Sequence, residues 1–251
     1  MSATSDLLHL LKSKGIFMEL SFKPKPLYRI LDFSRAVQIF EKRELYFASP
    51  ASWDDPYERR ISHARDHAIY SQCWCQHGIS DAMWRIYSNN GMGVRLSTTT
   101  RKLRQALKLA AEKAGYHFRV GEVDYLSQTD FNSEARKIRT ELSEKFEISR
   151  AIDAIYMKRE AFRHENEWRA TIFCPDQKRT VKKKGISIPI DPHALVDRIL
   201  LDPRAPEELV EAFKFYFKEK IGFEGQVVRS VLYKSPKPLK VYEDLIGDLD
   251  G

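Results

Sequence analysis

Three cysteines, Cys73, Cys75 and Cys174, are too few for a disulfide framework in a chain of 251 residues. No apolar run approaches the roughly 18 residues that cross a bilayer, so a membrane protein is not expected. The first residues, Met1 to Gly15, mix acid and histidine with leucine and lack a cleavable signal pattern. The expected setting is therefore a soluble protein of a reducing cytoplasm. Eleven glycines and eleven prolines are scattered rather than gathered into a linker, and there is no repeat. Walker, GxGxxG and GxSxG patterns are all missing, which removes the usual phosphate-loop, dinucleotide and serine-hydrolase signatures.

What is present is a large apolar fraction and an uneven charge. Hydrophobic residues make up 43% of the chain, enough to bury a sizeable core. The net charge of +7 divides into +3 over residues 1–97, +7 over 98–184 and −3 over 185–251. A basic middle third suits a nucleic acid or another phosphate-bearing ligand, and it equally suits a solvated helical face.

Local patterns predict short strands at 27–31, 45–48, 70–75, 92–96, 120–126, 167–173, 186–190, 198–201 and 227–233. Helices are predicted at 34–42 with Ser34 as cap, at 80–88, from Thr98 or Thr99 to Ala114 with Gly115 as the stop, and at 206–220. A long charged helical region is predicted over 133–162, broken near Ile148-Ser149. Short strands irregularly interleaved with helices favour a single mixed α+β domain over a doubly wound sheet. The expected organisation is an N-terminal extension, 1–26, followed by that domain over 27–251.

The stretch Glu165-Asn166-Glu167-Trp168-Arg169-Ala170-Thr171-Ile172 carries the most chemistry. Strand alternation puts Glu165, Glu167, Arg169 and Thr171 on one face and the mostly apolar partners on the other. Crowded carboxylates raise one pKa while the arginine lowers it. The alternative is an edge strand with exposed, mutually paired charges. The loop Trp53-Asp54-Asp55-Pro56-Tyr57-Glu58 reads as a turn or helix cap with proline at the first helical position, or as a fixed acidic loop at the mouth of a site. Trp84 and Tyr87 share a helical face as core anchors or a stacking platform. Tyr28-Arg29 puts an aromatic and a cation on opposite faces of the first strand, the cation either on the surface or on a phosphate.

Cys73-Trp74-Cys75-Gln76-His77 reads as core cysteines, since zinc lacks a fourth ligand other than Cys174. His63 and His67 have i, i+4 helical spacing without the glutamate of the zinc-protease motif. Lys182-Lys183-Lys184 reads as a basic turn.

Taken in order, Leu27-Tyr28-Arg29, Leu45 to Pro50, Trp53 to Glu58, Met83 to Tyr87, Gly91 to Leu96, Val123-Asp124-Tyr125 and Glu165 to Arg169 resemble the bacterial domain-of-unknown-function family twenty-nine seventy-one, from about residue 27 to 202. Two departures are Trp53-Asp54, where the family more usually has Phe-Asn, and Ser88-Asn89-Asn90, where it tends to Ala-x-x-His. The opening strand, helix and strand also resemble DNA- and RNA-modifying ADP-ribosyltransferase toxins, and Glu165-x-Glu167 resembles the glutamate motif of ADP-ribosyltransferases more broadly.

That resemblance implies an ADP-ribosyltransferase-like fold, NAD as substrate, a nucleic acid or protein acceptor, and a toxin or phage-defence setting. Glu167 and Glu165 become the catalytic residues, with Tyr28, Arg29, Tyr87, Asp55 and Arg169 as the cofactor-binding set and no metal. The alternative from a different class is a nucleic-acid-binding protein or metal-dependent nuclease built on Asp54, Asp55, Glu165 and Glu167.

Overall fold

The computed structural model describes residues 23–88, 90–178 and 184–239 of the chain. The fold is α+β, as the interleaving of short elements predicts. Its strands are β1 (Pro26–Asp32), β2 (Glu44–Ala48), β3 (Ile69–Cys75), β4 (Gly93–Thr99), β5 (His117–Glu122), β6 (Asp124–Leu126), β7 (Met157–Arg159), β8 (Glu167–Phe173), β9 (Gly185–Pro189), β10 (Arg198–Leu201) and β11 (Gln226–Arg229). The helices are α1 (Phe33–Lys42), α2 (Asp81–Tyr87), α3 (Thr100–Ala114), α4 (Gln128–Glu144), α5 (Ile148–Asp153), α6 (Pro192–Leu195) and α7 (Glu207–Phe215), the last continued by a π-turn, Tyr216–Lys220.

Nine strands form one sheet in the order β11-β10-β4-β1-β3-β2-β9, which branches at β3 because β8 pairs with β3 on one side and β5 on the other. All of these pairings are antiparallel except β10 with β11. The β1–β3 register is a single partnership, Tyr28 opposite Cys75, and β2 meets β3 only at Ala48 opposite Ser71. The sheet therefore splays on either side of β3. Register then lines up Tyr28, Cys75 and Glu167 across β1, β3 and β8.

The main core lies on the opposite face, where Leu27, Leu31, Tyr70, Trp74, Val94, Leu96, Trp168, Ala170 and Ile172 pack with α1, α3 and α7. Strand alternation sends their neighbours Cys73, Cys75, Glu167 and Arg169 to the other face. Burying side chains such as these contributes about 1.5–3 kcal/mol each. No helix among the described residues is long and apolar enough to cross a membrane.

Several local expectations hold for the stated physical reason. Thr99 accepts from Lys102 N, and Gly115, with φ 66°, ends α3. Asp55 accepts from Tyr57 N, with Pro56 opening a short 3₁₀ turn. Others are corrected. Ser34 lies inside the first turn of α1, whose cap position is Asp32 without a side-chain bond. The strand expected over 120–126 divides at Val123 into β5 and β6, which belong to different sheets.

The charged region 133–162 has its break at 145–147, beside the expected 148–149, but it is not helical throughout. Its first helix ends at Glu144, and the chain restarts as α5 and turns into the short strand β7, parallel to β6. The charge pattern hid a strand whose neighbours are supplied from far along the chain. Strand β11 stops at Arg229, short of the expected 233. His63 and His67 do not share a helix, because His63 is in irregular chain and only Asp66–Ala68 forms a turn. Residues 1–22 of the expected N-terminal extension, and Lys182 and Lys183 of the basic turn, lie outside the described residues.

Candidate active site

Strand β8 is interior to the sheet, and all seven of its residues are buried. The edge-strand alternative is thereby excluded, and the charges on its face have to be satisfied inside the protein. Glu167 is 3% exposed and Arg169 1% exposed. Arg169 Nε donates to Glu167 Oε1 at 2.6 Å and its Nη2 to Oε2 at 3.0 Å. The same guanidinium donates to Glu58 and to the Ile155 carbonyl, and Trp53 lies over it at 4.3 Å.

Lys158, from β7, inserts between the carboxylates. Its Nζ donates to Glu165 and, at 3.0 Å, to Glu167 Oε2, and lies 3.9 Å from Glu58 Oε1. The Cys73 thiol donates to the Glu167 carboxylate from the neighbouring strand. The Glu167 backbone N–H donates to Tyr125 Oη at 2.8 Å.

Three carboxylates thus share two cations, and their protonation is uneven. Burial pushes Glu167 up, but Arg169, Lys158 and the Cys73 thiol outweigh it and lower its pKa to about 2. Glu58 goes the other way, raised by burial and by Glu167 against the pull of Arg169 and Lys158. Burial and the Glu167 charge raise the Cys73 thiol, which keeps it protonated as a donor. The rise expected from crowding on the strand does not fall on Glu167, which is lowered; the carboxylate that rises is Glu58, with burial as the main cause.

Glu165 stands at the end of a 3₁₀ turn rather than on the strand, separated from it by Asn166 at φ 42°. That left-handed residue breaks the alternation, and Lys158 still brings Glu165 to the Glu167 carboxylate.

The open side of this cluster carries the aromatic and basic residues of β1 and α2. Tyr87 is 42% exposed. Its phenol pKa is raised by burial, with Glu165, Cys73 and Glu167 raising it further and Lys158 opposing. Arg29 is half-buried and lies within electrostatic reach of Cys73, Arg35 and Tyr87, with burial the main cause of a pKa lowered to about 10. Among the described residues Arg29 makes no ion pair with a carboxylate. A cleft of about 390 Å³ opens beside Tyr87 and Ile30.

Two residues of the expected cofactor-binding set have partners within the protein. Asp55 caps its own turn and pairs with Arg159 at 3.0 Å, so its oxygens are engaged within the protein. Arg169 is enclosed by Glu167, Glu58, Ile155 and Trp53 and serves to hold Glu167. Tyr28 is placed beside the site by register, with the Arg95 guanidinium 4.6 Å over its ring. The anchor expected of Trp84 holds, at 1% exposure, whereas its helical partner Tyr87 faces the cleft.

Among the described residues no donor set for the nuclease alternative is assembled. Asp55 is committed to Arg159, while Glu165 and Glu167 straddle an ammonium where a divalent cation would sit. Asp54 is exposed, outside that cluster. Among the described residues no group of three or more His, Cys, Asp or Glu side chains is arranged to hold a metal ion.

Sequence reasoning missed Lys158, Glu58 as an individual ligand of Arg169, and Cys73 as a donor. Lys158 was hidden because its segment reads as helix. Cys73 and Glu167 share a face, which strand alternation alone does not reveal, since the pairing of β3 with β8 is long-range. The latch around α2 was equally invisible. Ser88 donates to the fully buried Asp202, which also binds Arg204, while Arg204 donates to the Trp84 and Ser88 carbonyls. A Cβ at Gly93 would run into Ser88, so glycine is required at that position.

Fold and site together define an α+β protein with an interior carboxylate–arginine–lysine cluster beside an open cleft. Residues 83–170 match the model of a family described as "Protein of unknown function (DUF2971)", which bears out the resemblance over those residues. The chain is also similar to solved structures of DarT from Thermus sp. 2.9. With NAD+ bound, that protein is 13% identical at TM-score 0.40, covering 83% of this chain and 96% of the other. Its complex with carba-NAD+ gives 14% identity and TM-score 0.39, covering 83% and 97%. Its complex with ADP-ribosylated ssDNA gives 14% and 0.39, covering 82% and 94%. No curated protein matches the chain.

Proposed function

We infer that the protein cleaves NAD at the nicotinamide–ribose bond and transfers ADP-ribose to a nucleic acid. The observation carrying this reading is an ionised, interior Glu167 held by Arg169, Lys158 and Cys73, with a half-buried Arg29 that has no carboxylate partner among the described residues and Tyr87 near both. Breaking the N-glycosidic bond sends the electron pair to nicotinamide and leaves positive charge on ribose C1′. A fixed negative charge facing that centre stabilises the transition state more than the ground state.

Glu167 supplies the charge and accepts a hydrogen bond from the ribose 2′-hydroxyl. Arg169 and Lys158 hold its carboxylate in one place before substrate arrives, so no reorganisation is needed at the moment of reaction. Arg29 meets the pyrophosphate, and Tyr28 or Tyr87 stacks on the nicotinamide ring. An acceptor nucleophile then bonds to C1′ and passes its proton to Glu165. The resemblance of Tyr28-Arg29 and Glu165-x-Glu167 to ADP-ribosyltransferase motifs supports the choice of NAD among phosphate-bearing substrates.

The test is nicotinamide release from NAD in the presence of single-stranded DNA or RNA. The wild-type protein is expected to release nicotinamide and label the nucleic acid, and Glu167→Gln to lose about 100-fold or more of that rate. Equal release by the two proteins overturns the reading.

A further inference from the structure

Two arginines near the cleft lack an acidic counterpart. Arg35, on the first turns of α1, lines the cleft with Ile30, Leu31, Asp32, Ile86, Tyr87 and Asn90. Among the described residues neither Arg35 nor Arg29 forms an ion pair or hydrogen bond with a protein carboxylate, and the two guanidiniums are within electrostatic reach of each other. Like charges held together without a partner are unfavourable unless an anion joins them. Asp32 is the one carboxylate of the lining, is exposed, and forms no ion pair among the described residues. Arg29 does not line the cleft but lies within electrostatic reach of Arg35 and Tyr87, and counted with it the arginine end carries a net positive charge.

Its other wall is apolar and open. Ile86 is 45% exposed and the adjoining Tyr87 42%, on the last turn of α2. Solvent-facing apolar side chains beside unpaired guanidiniums are what a nucleotide requires, a planar base for the wall and a phosphoryl group for the cations. A cleft of about 390 Å³ accommodates one nucleotide unit.

We propose that Arg35, together with Arg29, forms a phosphoryl subsite in this cleft, and that Ile86 and Tyr87 take the attached base. The ligand chemistry is a nucleotide phosphate, from either the diphosphate of the NAD substrate or a phosphodiester of the acceptor strand. The proposal rests on the reading of Glu167 as an NAD-cleaving site for its assignment to a reaction step. As a binding site it stands separately.

The experiment measures affinity for ADP-ribose and for a short single-stranded oligonucleotide by calorimetry, using the full chain and Arg35→Ala, Arg35→Lys and Asp32→Asn. Arg35 and Asp32 are both exposed, so these variants are expected to fold, and the urea midpoint checks it. Arg35→Ala is expected to weaken one of the two ligands by about tenfold or more, Arg35→Lys to lose less, and Asp32→Asn to bind more tightly. Loss for ADP-ribose assigns the subsite to the substrate diphosphate, and loss for the oligonucleotide assigns it to the acceptor strand. Unchanged affinity for both ligands in Arg35→Ala, or no binding of either by the wild type, overturns the proposal. Absence of nicotinamide release by a wild-type protein that still loses affinity on Arg35→Ala instead overturns the NAD reading and leaves the subsite standing.

Discussion

Lys158 shows how much one buried side chain decides. It bridges Glu165 and Glu167 and approaches Glu58, so Lys158→Met removes the cation bound to Glu165 and leaves Glu58 and Glu167 to Arg169. Removing one partner of a buried ionic cluster typically costs about 3–5 kcal/mol, and urea unfolding of Lys158→Met is expected to show a loss of that order. Replacement by arginine is expected to restore part of it. Acid titration separates the carboxylates. Glu167 stays ionised in the folded protein down to about 2, whereas the unfolded chain takes up a proton near the ordinary 4.5. Between those values the unfolded state binds more protons, so stability falls as pH falls. Wild-type unfolding free energy is therefore expected to drop more steeply from about pH 4.5 to 2 than that of Glu167→Gln. Glu58, with its raised pKa, acts in the opposite sense and takes up its proton first in the folded state. At this scale the sequence was a good guide to Glu167 and Arg169, because period-2 alternation alone puts them together. It was silent on Lys158 and Glu58, whose places depend on chain 9 and 111 residues away from their partners.

Among the elements, the junction before β8 matters most. Asn166 accepts from Gln76 N through its carbonyl and adopts φ 42°, turning the chain between two glutamates that both reach Lys158. A β-branched residue is strained in that left-handed region by about 1–2 kcal/mol, while glycine enters it freely. Asn166→Val is expected to lose about that much stability in urea and to lose nicotinamide release, and Asn166→Gly to keep both within about 1 kcal/mol and a few-fold. The cap at Thr99, the Asp55-Pro56 turn and the Gly115 stop were legible because each is satisfied by chain within four residues. Strand β7 was not. Its three residues carry no alternation, and its pairing with β6 is supplied from more than thirty residues upstream.

Over the whole molecule, the cleft opens between the end of β1, the start of α1 and the end of α2. Strands β1 and β3 are in register only at Tyr28 opposite Cys75, and Arg29 makes no ion pair with a carboxylate among the described residues. Ligand that binds only the folded state stabilises it by mass action, by about 2.7 kcal/mol at 100 times the dissociation constant. NAD is expected to raise the thermal midpoint of wild-type protein and of Glu167→Gln, which retains the cleft, and to leave Arg29→Ala unshifted at the same concentration. Loss of the shift in Glu167→Gln together with its retention in Arg29→Ala would reverse the assigned roles.

The sequence by itself determined the α+β class, most strand and helix positions, and the pairing of Glu167 with Arg169. These depend on propensities, caps and alternation that operate over a few residues. Tertiary structure alone decided that the strand is interior, that Asp55 pairs with Arg159 and Arg169 with Glu167 and Glu58, that Lys158 completes the cluster, and that Arg29 and Arg35 have no carboxylate partner among the described residues. Those outcomes follow from which charges the fold encloses together and which it leaves facing a cleft, and the free energy of a buried charge depends on partners from across the whole chain.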